Sequence, residues 1–352
     1  MAQIILNSNF KQIVFLTPGF AQNEQDNTTI PAIQIFIKAL KNKHPDLKIT
    51  ILSFHYPFTK QKYKWHNCEV IPLNGGNKRY KKIQVWKNAY QTLKNLNKEN
   101  PISIIHSFWL SECAFIGHWF SKKYKIQHLC TIMGQDVLSK NYYLKLLPLK
   151  KMNLIFVSDF QQQQFIKTYN LHSKVIHWGI DNASFSYNTS KSIDIIGVGS
   201  LIPLKNYELF IDIIFEVNKI IPVKTLIIGE GIEKKNLQKK IKNLKLENSI
   251  TLTGLLNYNK TMSYISKSKI LLHTSNYEGF GMIFAEALQG KTMIVSKNVG
   301  CAFASENWRI CTTKEEMINA CVKVLSTSFS ESEKNPYLIE KTVENYLKIY
   351  NE

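Results

Sequence analysis

Short apolar runs alternate with amphipathic segments of helical period along nearly the whole chain, and few folds accommodate that order. The runs fall at 13–16, 49–53, 102–106, 129–132, 154–157, 193–198, 225–228, 270–273 and 293–296. Between them lie stretches with helical spacing at 31–43, 82–96, 111–123, 159–169, 206–219, 234–245, 258–266, 281–289 and 314–325. Continuous rather than alternating apolar strands are buried on both faces, so the pattern predicts parallel sheets covered by helices. In 352 residues, two sheets of four to six strands are expected rather than one of nine or more. The polar stretch 181–192 (DNASFSYNTSKS) separates one βα series from the next and is the expected linker. This gives an N-terminal domain over 1–182, a second over 193–334, and a terminal helix over 335–352. The apolar side of that helix is expected to be Leu338, Val343, Tyr346, Leu347 and Tyr350.

The first twenty residues, MAQIILNSNFKQIVFLTPGF, lack a basic leader and a small-residue cleavage site, and read as a first strand. No uncharged apolar run approaches the roughly 18–20 residues that span a bilayer. The expectation is a soluble, cytoplasmic protein. Charge sharpens the picture. Lys and Arg number 45 against 26 acidic residues, a net +19, and only Arg79 and Arg309 are arginines. Residues 1–182 carry a net +15 and residues 183–352 only +4. The first half should therefore meet something anionic. Nucleic acid is disfavoured, because neither arginine forks nor a recognised binding signature is present. Residues 60–94 mix nine cations with Tyr63, Trp65, Tyr80, Trp86 and Tyr90, a composition suited to a membrane interface. The same spacing, Ile83, Trp86, Tyr90 and Leu93, also suits the core face of a helix.

Six cysteines form no CxxC pair, and with no secretion signal they read as reduced and buried. Nine histidines form neither HExxH nor a His/Cys cluster, so no metal site is expected. Three glycine motifs mislead. Gly197-Val198-Gly199 and Gly229-Glu230-Gly231 each follow a strand but lack the third glycine of a dinucleotide fingerprint. Gly290-Lys291-Thr292 has Ala285 where a P-loop needs glycine and runs from helix to strand, so it reads as a helix cap.

The informative segment is 270–296, ILLHTSNYEGFGMIFAEALQGKTMIVS. A strand ends near Thr274, a polar loop carries Glu278, and Gly279-Phe280-Gly281 opens a helix bearing Glu286. Glycines allow close backbone approach, and the first amides of a helix can receive a phosphate. The two carboxylates, eight positions apart, can accept sugar hydroxyls. Taken alone, they read more readily as a surface loop and a solvated helical glutamate.

Glu-Gly-Phe-Gly, four residues, then Glu-Ala-Leu resembles the EX7E motif of the family 4 retaining glycosyltransferases of GT-B fold. Residues 199–206 (GSLIPLKN) resemble that family's diphosphate loop, Gly229-Glu230-Gly231 its next glycine turn, and 250–256 (ITLTGLL) its base-facing segment. More loosely, 17–20, 104–109, 131–136 and 175–181 resemble its first glycine loop, Ile-His-x-His segment, Thr-x-His-Gly-x-Asp loop and hinge. The resemblance implies two Rossmann-like domains facing a central cleft, with the C-terminal helix crossing back to the first. It implies transfer of a hexose from a UDP- or GDP-sugar, with retention and without metal or other cofactor, to a glycan or lipid-linked acceptor in cell-surface glycan synthesis. An anionic membrane surface is a further candidate partner, with the protein peripheral on the inner face of the membrane.

Carried over position by position, Lys205 and Ser200 would contact the diphosphate, together with amides around Gly279, Phe280, Gly281 and Met282. Glu278 would contact the sugar and Glu286 the ribose, with Gly254 and Leu255 facing the base. Gly19 would approach the diphosphate, Asp136 the sugar or acceptor, and His106 the acceptor; a turn glycine, a helix cap and a structural histidine are the plain alternatives. The sequence departs from the family at Ser200, usually arginine, at Phe108 and Met133, often histidine, and at Thr292, usually proline. A catalytically silent nucleotide-sugar binder, or a GT-B epimerase or phosphorylase, would share most of these features.

Overall fold

The computed structural model describes residues 10–138, 140–181, 190–327 and 334–352. The chain forms two units, one of residues up to Gly179 together with Ile339–Glu352, the other Ile180–Leu338. The division thus falls just ahead of the expected linker, of which 182–189 lies outside the described residues, as do residues 1–9 of the expected first strand.

The first unit holds β1 (Gln12–Gly19), α1 (Pro31–Lys43), β2 (Lys48–Tyr56), β3 (Tyr63–Trp65), β4 (Cys68–Pro72), α2 (Lys82–Glu99), β5 (Ile104–Phe108) and α3 (Glu112–Tyr124). It continues with β6 (Gln127–Ile132), α4 (Tyr143–Leu146), β7 (Asn153–Phe156), α5 (Asp159–Tyr169) and β8 (Lys174–Val175). Its sheet runs β3-β4-β2-β1-β5-β6-β7-β8, parallel except for the β3–β4 pair. Eight strands exceed the expected four to six. The excess lies at the edges, in the two-residue β8 and in a hairpin whose turn residues His66 and Asn67 both have positive φ. A two-residue turn of that kind is usually announced by Asn-Gly, so His-Asn hides it. The strands are apolar on both faces, and Ile13, Val14, Phe15 and Leu16 of β1 are fully buried.

Helix α2 buries Val85, Ala89, Leu93 and Leu96. The core face is therefore rotated from the one expected: Leu93 belongs to it, Trp86 and Tyr90 are half-buried, and Ile83 is exposed.

The second unit holds β9 (Ile193–Val198), α6 (Tyr207–Ile220), β10 (Thr225–Ile228), α7 (Lys234–Asn243), β11 (Ile250–Gly254) and α8 (Tyr258–Ser266). After these come β12 (Ser268–His273), α9 (Met282–Gln289), β13 (Met293–Ser296), β14 (Trp308–Ile310) and α10 (Lys314–Ser326). Its strand order is β11-β10-β9-β12-β13-β14, parallel throughout. Helices α8 and α10 start with ordinary side-chain caps. Asn257 Oδ1 accepts from the Lys260 amide at α8, and Thr313 Oγ1 from the Glu316 amide at α10. The chain winds outward from β9 to β11 and then returns to β12, so the strand order reverses between β9 and β12. Crevices at the carboxyl ends of strands at such a reversal are where doubly wound sheets bind ligands.

Helix α11 (Ile339–Tyr350) returns to the first unit, burying Val343, Tyr346, Leu347 and Tyr350 as expected, along with Ile339 and Ile349; it starts later than 335, and Leu338 stays outside it, half-buried in the second unit.

Candidate active site

The reversal in the second unit brings together the loops after β9, β10 and β12. The first two lie backbone to backbone. Gly199 N–H donates to Ile228 O at 3.0 Å and Leu201 N–H to Glu230 O at 2.9 Å. A Cβ on Gly229, whose φ is +154°, would sit 1.9 Å from Gly199 O. The glycines that mimic a dinucleotide fingerprint thus serve loop-on-loop packing.

The loop after β12 is tied to the loop after β9 just as tightly. Thr274 Oγ1 donates to the carbonyls of Lys205 and Asn206 at 3.1 and 3.0 Å, and Asn276 N–H to Leu204 O at 2.9 Å. These bonds set Lys205 Nζ 2.5 Å from Glu278 Oε1. His273 Nε2 stands 2.9 Å from the same oxygen, outside good hydrogen-bond alignment, while His273 Nδ1 is buried without a hydrogen-bond partner among the described residues. Burial works against the charge on Glu278, but the His273 ring and the Lys205 charge outweigh it and hold the carboxyl near pKa 2. Burial keeps His273 neutral by pushing its pKa down.

Lys297, directly after β13, donates to Asn276 Oδ1 at 2.7 Å, and burial lowers its pKa. Two lysines, one carboxylate and a neutral histidine leave the cluster with an excess positive charge, a setting for an anion. His273 and Lys297 were not among the residues singled out from sequence. Their only signal is position, each at the carboxyl end of a strand flanking the loop.

Gly281, with φ +85°, starts α9, and a Cβ there would strike the Phe284 ring at 2.7 Å. Met282 opens the first turn of that helix, half-exposed. Gly279 lies in the same loop. Phe280 turns its side chain into the core against Tyr337, ring centroids 5.2 Å apart, and its carbonyl accepts from Cys301 N–H at 2.8 Å. Any ligand contact by Phe280 is therefore restricted to backbone.

Glu286 lies within α9, buried, and its pKa is pushed up to about 7 by burial, partly offset by a hydrogen bond from Tyr258. Gly254 ends β11 beside the Glu230–Lys234 ion pair, and Leu255 projects outward, 70% exposed. Ser200 is exposed on the loop after β9.

The first unit treats its candidates differently. His106 is fully buried. Its Nδ1 is 2.7 Å from the Tyr350 hydroxyl and its Nε2 2.7 Å from Thr131 Oγ1, while Phe15, Phe36, Phe108 and Tyr346 pack around the ring. The expected acceptor-side role is corrected by this geometry: both nitrogens are taken, and burial drives the pKa well below the usual value, so His106 is a core residue.

Asp136 accepts backbone N–H bonds from Leu110, Gly134 and Met133 at 2.8, 2.7 and 3.3 Å. These bonds organise its own loop. Phe108, where a histidine was possible, is likewise core. Gly19 borders a pocket of about 310 Å3 lined also by Pro18, Ile30, His55, Tyr56 and Asn77. A Cβ there would make only ordinary contact, 3.6 Å from Tyr56 Cβ. All six cysteines are free and buried. Among the described residues, no group of three or more His, Cys, Asp or Glu could hold a metal ion, and no helix is long and apolar enough to cross a membrane.

Two parallel α/β units with a crossing C-terminal helix define a GT-B fold. Residues 180–305 match the family of glycosyl transferases group 1, and the match lies wholly in the second unit. An uncharacterized glycosyltransferase of Methanocaldococcus jannaschii is 26% identical over 280 residues, covering 77% of this chain and 76% of that protein. Sucrose-phosphate synthase from Thermosynechococcus elongatus superposes with TM-score 0.73 at 15% identity, covering 97% and 95% of the two chains. HepE from Anabaena, solved in complex with UDP-glucose, does so with TM-score 0.67 at 18% identity over 97% of each.

Proposed function

We propose that this chain is a retaining, metal-independent hexosyltransferase of family 4 that uses a UDP- or GDP-sugar. Its acceptor is a lipid-linked or polysaccharide glycan, placing it in cell-surface glycan synthesis on the cytoplasmic side. The observation that carries this reading is the Lys205–Glu278 pair, built by loop-on-loop hydrogen bonds at the strand-order reversal of the segment that matches group 1 glycosyl transferases.

In this reading the anomeric carbon–oxygen bond to the diphosphate breaks as the acceptor hydroxyl attacks from the same face. The hydroxyl proton passes to the departing diphosphate oxygen, so charge and atoms balance without a protein nucleophile. Lys205 turns from Glu278 to the β-phosphate as charge develops there, and Lys297 and the first amides of α9 add to the stabilising field. Glu278 stays ionised beside His273 and takes the donor-sugar hydroxyls, while Glu286 takes the ribose hydroxyls.

The direct test is donor turnover. Purified protein with UDP-glucose or GDP-mannose should release nucleotide slowly without acceptor and faster with a glycan acceptor, giving product of the donor's anomeric configuration by NMR. Lys205→Met should lower kcat/KM by at least about 100-fold, the scale of losing one transition-state charge contact. Exposed Ser200, in place of arginine, favours one second reading, a silent sugar-nucleotide binder. That protein would bind nucleotide with neither hydrolysis nor transfer. An epimerase would instead release altered sugar independently of acceptor.

A further inference from the structure

The first unit carries a face that the transfer chemistry leaves unexplained. Phe58, Tyr80, Ile83 and Tyr142 are 71%, 77%, 69% and 64% exposed, large apolar side chains held out from the protein. They come from three segments that meet. The Phe58 ring reaches to within 3.9 Å of where a Gly76 Cβ would stand, and the same point is 3.8 Å from Lys78. Lys78 Nζ lies 5.9 Å from the Tyr80 ring centroid. Lys82 Nζ lies between two rings, 5.3 Å from Trp86 and 4.9 Å from Tyr143, the neighbour of Tyr142. The loop after β2, the turn into α2 and the start of α4 therefore form one continuous patch.

The charge on this patch is one-sided. From Phe58 to Lys87 the sequence has eight cations and one acid, Glu69, and from 138 to 151 it has four cations and no acid. Within the first stretch only Lys62 has a carboxylate at ion-pair distance, Glu69 at 3.7 Å, among the described residues. The first turn of α2 has no acidic residue and no side-chain cap, and Lys78, Arg79, Lys81 and Lys82 crowd that end. Cations at the positive end of a helix dipole repel it, so this arrangement is eased by an external anion.

We propose that this face docks the protein onto an anionic lipid bilayer, with Phe58, Tyr80, Ile83 and Tyr142 entering the headgroup layer and the lysines contacting lipid phosphates. A bilayer suits the composition better than a protein partner does. Lysine is depleted in protein interfaces, whereas its long apolar stem lets aromatic and aliphatic neighbours sink while the ammonium stays at the surface. Arg79 is the face's single arginine, which also sets it apart from surfaces that read nucleic acid through guanidinium forks.

The docking is separable from sugar transfer, because its test contains no sugar nucleotide. The intact protein is sedimented with vesicles of phosphatidylcholine alone or mixed with phosphatidylglycerol, at low and high salt. Binding is expected to the anionic vesicles and to weaken as salt rises. Lys78→Ala with Arg79→Ala should weaken it at least tenfold, taking about fivefold for each cation near the surface. Tyr80→Ser with Ile83→Ser should abolish the part of the binding that survives high salt. All four positions are exposed, so both variants are expected to keep the wild-type unfolding midpoint, and each tests the face independently. Equal binding to neutral vesicles, or binding unchanged in both folded variants, would overturn the proposal. So would displacement from vesicles by an RNA or DNA oligonucleotide at stoichiometric concentration.

Discussion

Glu286 combines burial with a pKa raised to about 7, against an ordinary value of 4.5. A carboxyl whose folded pKa lies above its unfolded value binds its proton more tightly in the fold, so stability is greatest at low pH and falls as pH rises through 7. Between pH 5 and pH 8 the wild type should lose roughly 2–3 kcal/mol relative to Glu286→Gln, by the linkage of pKa to stability. Urea unfolding of both proteins at the two pH values measures this, and parallel pH dependences would contradict it. Glu278 behaves oppositely. Its pKa near 2 makes it a stabilising contributor above pH 4.5 that is lost only as pH falls toward 2. Removing Lys205 leaves that buried carboxylate with His273 alone, and Lys205→Met should cost about 1–2 kcal/mol of stability while abolishing most activity. The EX7E glutamates were legible in the sequence because their motif is short and contiguous. Their electrostatics were not, since the pairing partner of Glu278 stands 73 positions away and is delivered by loop stitching.

Among the elements, the loops of the second unit are less forgiving than that of the first glycine turn. Gly229→Ala would drive a methyl into the Gly199 carbonyl, 1.9 Å from the ideal position. Loss of more than about 3 kcal/mol is expected, a strained backbone plus a forced loop separation. Gly19→Ala meets nothing closer than 3.6 Å and should leave the melting midpoint within about 2 °C of wild type. Calorimetry on the two variants separates a glycine needed for packing from one that is only near a pocket. The nine apolar runs read from sequence all became strands, because burial on both faces of a parallel sheet leaves a continuous signal. The β3–β4 hairpin escaped because three residues and a His-Asn turn carry little pattern. The face of α2 was misassigned because aromatic residues beside lysines can lie half-buried at its margin, leaving Val85 and Ala89 to fill the core.

At the scale of the whole molecule, the C-terminal helix completes the first unit. Tyr350 and Tyr346 cover His106 and Thr131 through hydrogen bonds of 2.7 and 2.8 Å, from partners 244 and 215 positions distant. That distance is why His106 could be taken for a ligand group: nothing near it in sequence shows that a helix closes over it. Tyr350→Phe should cost about 1–2 kcal/mol by stranding a buried ring nitrogen, read from the chemical unfolding midpoint. The central claim, that the second unit binds a nucleoside diphosphate through Lys205 and Glu286, is tested most directly by thermal unfolding with UDP, GDP, ADP, CMP and NAD. One diphosphate at 100 times its dissociation constant should stabilise the wild type by about 2.7 kcal/mol. The same ligand should leave Lys205→Met and Glu286→Ala nearly unmoved. A wild type indifferent to every nucleoside diphosphate, or variants shifted as much as the wild type, would contradict the account.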